Sequence, residues 1–218
     1  MILRTGGGVT LIGGGEMLAG DVRSAVALAP VVMAADSGAD TALALGLTPQ
    51  AVAGDLDSIS AASRAAIPAE RLHRIAEQDS TDFDKCLRNI DAPFVLALGF
   101  AGPRLDHALA AMATLIRRRS PPCFMLGADD VVFAAPPALT LDLPAGTRLS
   151  LFPFGEVRGT SEGLRWPIDG LTFTPADRVG TSNEATGPVS LRTQGPCLVI
   201  VPKAHLPAAL AGCGIALR

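Results

Sequence analysis

Tyrosine is absent from the 218 residues, tryptophan occurs once, and aromatic residues make up only 4% of the chain. Any ligand that needs an aromatic face therefore has few side chains to choose from. Positive charge is also scarce. The net charge is -3, the isoelectric point is near 5.6, and the one basic run is residues 117–119. Phosphate-backbone binding needs a basic face, so a nucleic-acid partner is excluded, and the arginine run reads as a helix end, where cations suit the dipole. The four cysteines are scattered without a CxxC pair. That spacing argues against structural zinc and a disulfide framework and for reduced thiols in a cytoplasm. No apolar stretch reaches membrane-spanning length without glycine, proline or charge, and the opening MILRTGGGVTLIGGG has no h-region, so a protein that is soluble and unprocessed is expected, with no membrane partner. Neither a GxGxxG nor a Walker spacing occurs, and there is no internal repeat.

What is present is a large apolar fraction, 49%, enough for a sizeable core. Up to about residue 128, short apolar runs (9–12, 31–35, 51–53, 94–98, 123–126) alternate with alanine-rich stretches of helical period. Such alternation predicts strand–helix units on a parallel sheet. Ser60 precedes AASRAAI and Thr81 stands three residues before Asp84, both helix-start signals, the second in capping-box form. After residue 130 the helical pattern stops, and short β-prone segments (138–143, 148–152, 171–174, 189–193, 197–201) follow between glycine and proline turns. The expected architecture is an α/β domain with a parallel, Rossmann-like sheet over residues 1–130, then an all-β sandwich over 131–218.

In an open parallel sheet, ligands collect beyond the carboxyl ends of the strands. The polar clusters fall there: Asp36-Ser37-Gly38, Gly54-Asp55-Leu56-Asp57, and the stretch from Gly99 to His107. If the chain stays extended through Asp57, Asp55 and Asp57 point to one side, and two anions so close call for a cation between them. Oxygen ligands of this kind suit Mg2+ beside substrate phosphates, with Asp82 able to supply a third. Taken alone, the pair is more simply an ordinary Gly-Asp turn. Arg104, at a helix start with Asp106 and His107 following, suits phosphate oxygens or a plain local salt bridge. Gly13-Gly14-Gly15 lets a backbone approach a phosphate or simply turns the chain.

Taken in order, AADSGAD (34–40), GDLDSI (54–59), DSTDFDKCL (79–87), GPRLDH (102–107) and GTSNEATG (180–187) resemble the thiamine pyrophosphokinase family across nearly the whole chain. The resemblance implies transfer of a diphosphate from ATP to the hydroxyethyl group of thiamine, with AMP released. It implies an α/β nucleotide- and Mg2+-binding catalytic domain, then a thiamine-binding sandwich, in a homodimer whose thiamine pocket lies at the dimer interface. Carried over residue by residue, it makes Asp55, Asp57 and Asp82 the Mg2+ ligands and gives Arg104 and Asp106 to catalysis. It assigns Asp36, Ser37, Gly38, Thr81, Arg104 and His107 to the nucleotide. Trp166, Thr181, Ser182 and Asn183 fall to thiamine, with Ser182 and Asn183 expected on a loop; the alternative for Trp166 is a place in the sandwich core. Two departures stand out: Pro103 replaces the second glycine before the arginine, and alanine replaces an asparagine within HALAAM. A diphosphokinase of another heterocyclic alcohol such as a pterin, or a non-catalytic nucleotide or thiamine sensor, would use the same residues.

Overall fold

Runs of four or five small and β-branched residues are too short for helices, and when both faces are covered they pair in parallel. The computed structural model describes residues 1–216. Its first unit, Met1–Ala128, contains strands β1 (Leu3–Arg4), β2 (Val9–Ile12), β3 (Val31–Ala35), β4 (Ala51–Gly54), β5 (Leu72–Arg74), β6 (Ile90–Asp91), β7 (Val95–Leu98) and β8 (Cys123–Leu126). Five helices accompany them: α1 (Ala19–Leu28), α2 (Gly38–Ala44), α3 (Ala61–Ala66), α4 (Asp82–Leu87) and α5 (Leu105–Arg117). Six strands pair in parallel in the order β5-β4-β3-β2-β7-β8, and every residue of β2, β4, β7 and β8 is buried. The chain runs outward from β2 to β5 on one side and then to β7 and β8 on the other. Order therefore reverses at β2, where a crevice opens at the carboxyl ends. The short pair β1 and β6 lies apart from this sheet.

Helix starts follow the side-chain signals. Ser60 Oγ accepts from Ser63 N at 3.1 Å and Thr81 Oγ1 from Asp84 N at 3.3 Å. Only half of the expected capping box forms at Thr81. The Asp84 carboxylate turns away from the helix start to the arginines at the end of α5, with Arg118 Nε at 3.0 Å.

The second unit begins at Asp129. It is strand-rich: β9 (Asp130–Ala134), β10 (Ala138–Leu141), β11 (Arg148–Pro153), β12 (Val157–Leu164), β13 (Thr172–Phe173), β14 (Gly180–Gln194) and β15 (Cys197–Pro202), all paired antiparallel. β14 joins two groups of strands, pairing with β11 through its first half and with β10 and β12 through its second. This unit is not wholly β. Residues 206–212 form α6 (Leu206–Gly212), with Pro207 in the first turn and Leu206, Ala209 and Leu210 buried at helical spacing. The four cysteines are free. No helix among the described residues is long and apolar enough to cross a membrane.

Candidate active site

A cavity of about 600 Å³ opens at the carboxyl ends of the parallel strands, lined by Gly14 and Gly15 after β2, Asp36 and Ser37 after β3, and Asp55 and Ser58 after β4. The start of α4 contributes Thr81, Asp82 and Lys85, and the loop after β7 contributes Phe100, Arg104 and His107. Glycines make the crevice possible by close approach. A Cβ at Gly14 would lie 2.2 Å from Ser37 Oγ, and one at Gly38 would lie 2.2 Å from the Ile12 carbonyl oxygen. At Gly54 a Cβ would press on Asp36 Cβ at 3.0 Å and Asp82 Oδ1 at 3.1 Å, so this position lets two carboxylates draw together.

The side chains of Asp36, Asp55 and Asp57 converge, each offering a carboxylate oxygen within 4.8 Å of the others. They do not meet through an extended strand. β4 ends at Gly54, and Leu56 takes a left-handed φ of 62°, a strained conformation for a bulky residue. The Leu56 side chain stays buried with Val52, Ile59 and Ile67 while its carbonyl oxygen accepts from Arg64 Nη2. The loop is thus pinned from both sides, and the reversal at Leu56 turns Asp55 and Asp57 toward Asp36. Asp36 itself has φ 44° and is 5% exposed.

Electrostatics mark the cluster as a place for a cation. Asp36 Oδ1 is buried with no hydrogen-bond partner. Burial pushes the Asp36 carboxyl above its ordinary value; the Ser58 hydroxyl opposes this, while the charges of Asp82 and Asp55 add to it. A buried carboxylate oxygen without a donor, facing two more carboxylates, fits a hard divalent ion. Asp55 is drawn below its ordinary value chiefly by the side-chain amide of Gln78, whose Nε2 donates to Oδ2 at 3.1 Å. Asp82 stands beside the three, with Oδ1 accepting from Lys85 Nζ at 3.0 Å. Of the expected set of Asp55, Asp57 and Asp82, the first two lie in the tight cluster with Asp36, while Asp82 pairs with an amine.

Residues 22–125 match the family model described as thiamin pyrophosphokinase, catalytic domain, and residues 139–198 match thiamin pyrophosphokinase, vitamin B1 binding domain. The chain belongs to the thiamin pyrophosphokinase family. Thiamine pyrophosphokinase 1 of Oryza sativa subsp. japonica is 27% identical over 154 residues, 62% of this chain and 58% of the rice protein's length. The solved thiamin pyrophosphokinase from Candida albicans has the same fold, with a TM-score of 0.77 at 14% identity over 92% of each chain. That from Bacillus subtilis gives 0.73 at 21% identity, covering 89% of this chain and 98% of its own.

Other residues singled out by the pyrophosphokinase motifs have definite surroundings. Arg104 lies in the cavity wall with Nη2 2.7 Å from Asp106 Oδ2 and Nε 3.3 Å from Oδ1, both residues exposed. Thr81 lines the cavity, but its hydroxyl caps α4. Gly38 serves chiefly as a place of close packing against Ile12. In the second unit Trp166 is 54% exposed, which overturns the core alternative. Ser182 and Asn183 lie on β14 rather than on a loop, although Ser182 takes a left-handed φ of 60° where the register with β11 shifts. Asn183 holds the tryptophan segment at both ends of its amide: Nδ2 donates to the Trp166 carbonyl at 2.7 Å, and Oδ1 accepts from Trp166 N at 3.2 Å. Ser182 N donates to Ser150 Oγ at 3.0 Å, while the neighbouring Thr181 is exposed. The guanidinium of Arg165 lies 4.9 Å from the Trp166 ring centroid.

Sequence reasoning passed over Lys85, Gln78 and the packed pair Phe83–Phe100, whose ring centroids are 4.4 Å apart. Lys85 had a legible signal. It follows Asp82 by three residues, the spacing that puts two side chains on one helix face. Gln78 had none, since its partner is set by the fold of a loop.

Proposed function

We propose that the chain is an ATP-dependent thiamine pyrophosphokinase, transferring a diphosphate from ATP to the hydroxyethyl group of thiamine and releasing AMP. The observation that carries this reading is the convergence of Asp36, Asp55 and Asp57, with the unpartnered Asp36 Oδ1, in the crevice of a chain whose two parts match catalytic and vitamin B1 binding domains. That second match favours thiamine over a pterin acceptor. In the reaction the thiamine hydroxyl oxygen forms a bond to the β-phosphorus, the bond from that phosphorus to the oxygen of AMP breaks, and the hydroxyl proton is released. Such transfer needs positioning and charge neutralisation more than covalent help from the protein.

The geometry supports a role for each residue in this reading. Asp36, Asp55 and Asp57 would hold Mg2+, with Asp82 beside them. A divalent ion held by these carboxylates would supply neutralisation of phosphate charge. Arg104, kept oriented by Asp106, offers a guanidinium to phosphate oxygens at the cavity wall, with His107 in the first turn of α5. Ser37, Gly38 and Thr81 line or shape the nucleotide side of the crevice. This reading takes residues 1–130 as a Rossmann-like nucleotide domain and 131–218 as a thiamine-binding sandwich. It also takes the protein as a cytoplasmic homodimer with the acceptor pocket at the subunit interface, an assembly that light scattering tests directly. The decisive assay incubates purified protein with ATP, Mg2+ and thiamine and looks for thiamine diphosphate and AMP. A pterin diphosphate in a parallel acceptor panel, or nucleotide binding with no product at all, would replace this reading with one of its rivals.

Thiamine carries a cationic thiazolium and a flat pyrimidine, and Trp166 is the one exposed aromatic platform of its size in the chain. Trp166→Ala is expected to raise the thiamine KM by about tenfold, the loss of a cation–π contact of 1–2 kcal/mol, with ATP KM unchanged. Thiamine should quench the wild-type tryptophan fluorescence. Unchanged KM together with no quenching would remove Trp166 from the site.

A further inference from the structure

Lys85 is among the largest fully buried side chains of the structure, with 2% of its side chain exposed, yet it lines the cavity together with Asp36, Asp55 and Asp82, three aspartates within reach of one another's charge. The other strong cation in the wall, Arg104, is committed to Asp106. Among the described residues the hydrogen bond that Lys85 makes is to Asp82 Oδ1 at 3.0 Å, which uses one of its three N–H protons. Its charge also favours the ionised form of Asp55. A buried ammonium is costly unless paired, and here the pairing is one carboxylate on the next turn of a six-residue helix.

We propose that Lys85 is a positioning residue that acts as the resident counter-charge of the carboxylate cluster, weakening capture of a free divalent ion so that the ion enters together with the nucleotide. The inference rests on the phosphotransfer reading given above. With no nucleotide present, the ammonium offsets Asp82 and Asp55 and repels a second cation. Once phosphates enter, they bring four more negative charges, the ammonium gains new acceptors for its two free protons, and the penalty on the divalent ion falls. Ion and nucleotide binding are then coupled, each strengthening the other by the same factor.

Mn2+ binding followed by the EPR signal of the free ion tests this without turnover. In wild-type protein, α,β-methylene ATP should tighten Mn2+ binding by about tenfold or more. Lys85→Met, which removes the charge and keeps the length, should bind Mn2+ about tenfold more tightly than wild type when no nucleotide is present, and the gain on adding the analogue should shrink. Lys85→Arg should behave as wild type. Lys85→Gln repeats the neutral arm if the methionine variant does not fold, and the wild-type comparison stands without either. Nucleotide-free affinity in the neutral variants equal to or weaker than wild type would overturn the proposal, as would a wild-type protein indifferent to the analogue. Failure of the phosphotransfer reading itself looks different: no Mn2+ binding in any variant, with or without the analogue.

Discussion

Asp55→Asn and Asp57→Asn should each lower diphosphate transfer by about a hundredfold or more at saturating Mg2+, the usual cost of removing one electrostatic group aimed at a phosphoryl transition state. Both substitutions keep shape and hydrogen-bonding capacity and delete one charge. The fold should not suffer. Asp57 is exposed and Asp55 is half-buried, and at Asp55 the repulsion from neighbouring carboxylates is offset by the Gln78 amide and the Lys85 charge, so the metal-free fold depends little on either charge. Thermal unfolding is therefore expected to occur near the wild-type temperature while activity collapses. Product analysis for AMP and thiamine diphosphate, paired with a melting curve, checks both halves. Turnover like wild type in both variants would falsify the metal role of the pair.

The strands of the first unit were legible because their burial is two-sided: continuous runs such as VTLI and VLAL can be placed without knowing their neighbours. Residues 206–212 were misread for the opposite reason. A helix of seven residues with a proline and a terminal glycine leaves little periodicity to detect. β14 was cut short because Gly187 and Pro188 look like a turn, whereas the strand runs on past them through a shift in its register with β12. At the site, residue types were legible and geometry was not. The GDLD spacing suggested a shared face through an extended chain, but the convergence comes from a left-handed Leu56 held by its buried side chain and by Arg64, which is eight residues away in sequence. Asp36 entered the tight cluster through the β3–β4 pairing, a contact that no spacing within AADSGAD reveals.

Asp84 is the clearest case of a partner hidden by sequence distance, and its network should dominate the stability of the first unit. Its carboxylate is 3% exposed and accepts from Arg118 Nε at 3.0 Å and Nη2 at 3.2 Å, with Arg117 Nη2 at 3.5 Å and Arg88 Nη1 at 3.9 Å. Arg88 in turn reaches Glu77 at 2.6 Å; hydrogen bonds from Ser80 and then from Arg88 hold the Glu77 carboxyl at a pKa of about 2. The two ends of each pair are not equivalent. The arginines are 32% to 61% exposed and can rehydrate if they lose their partner, whereas Asp84 cannot. Removing Arg117 and Arg118 together should strand a buried anion and cost about 3–5 kcal/mol, lowering the melting temperature by roughly 10 °C. Replacing Asp84 with leucine in that same background should return a large part of the loss, because an apolar side chain of similar size needs no partner there. The pattern matters for the site: α4 carries Thr81, Asp82 and Lys85 to the cavity, α5 carries Arg104 and His107, and the Asp84 link joins the first helix to the far end of the second. A double arginine variant that melts with wild type, or an added Asp84→Leu that deepens the loss, would show that the pairing carries no such weight.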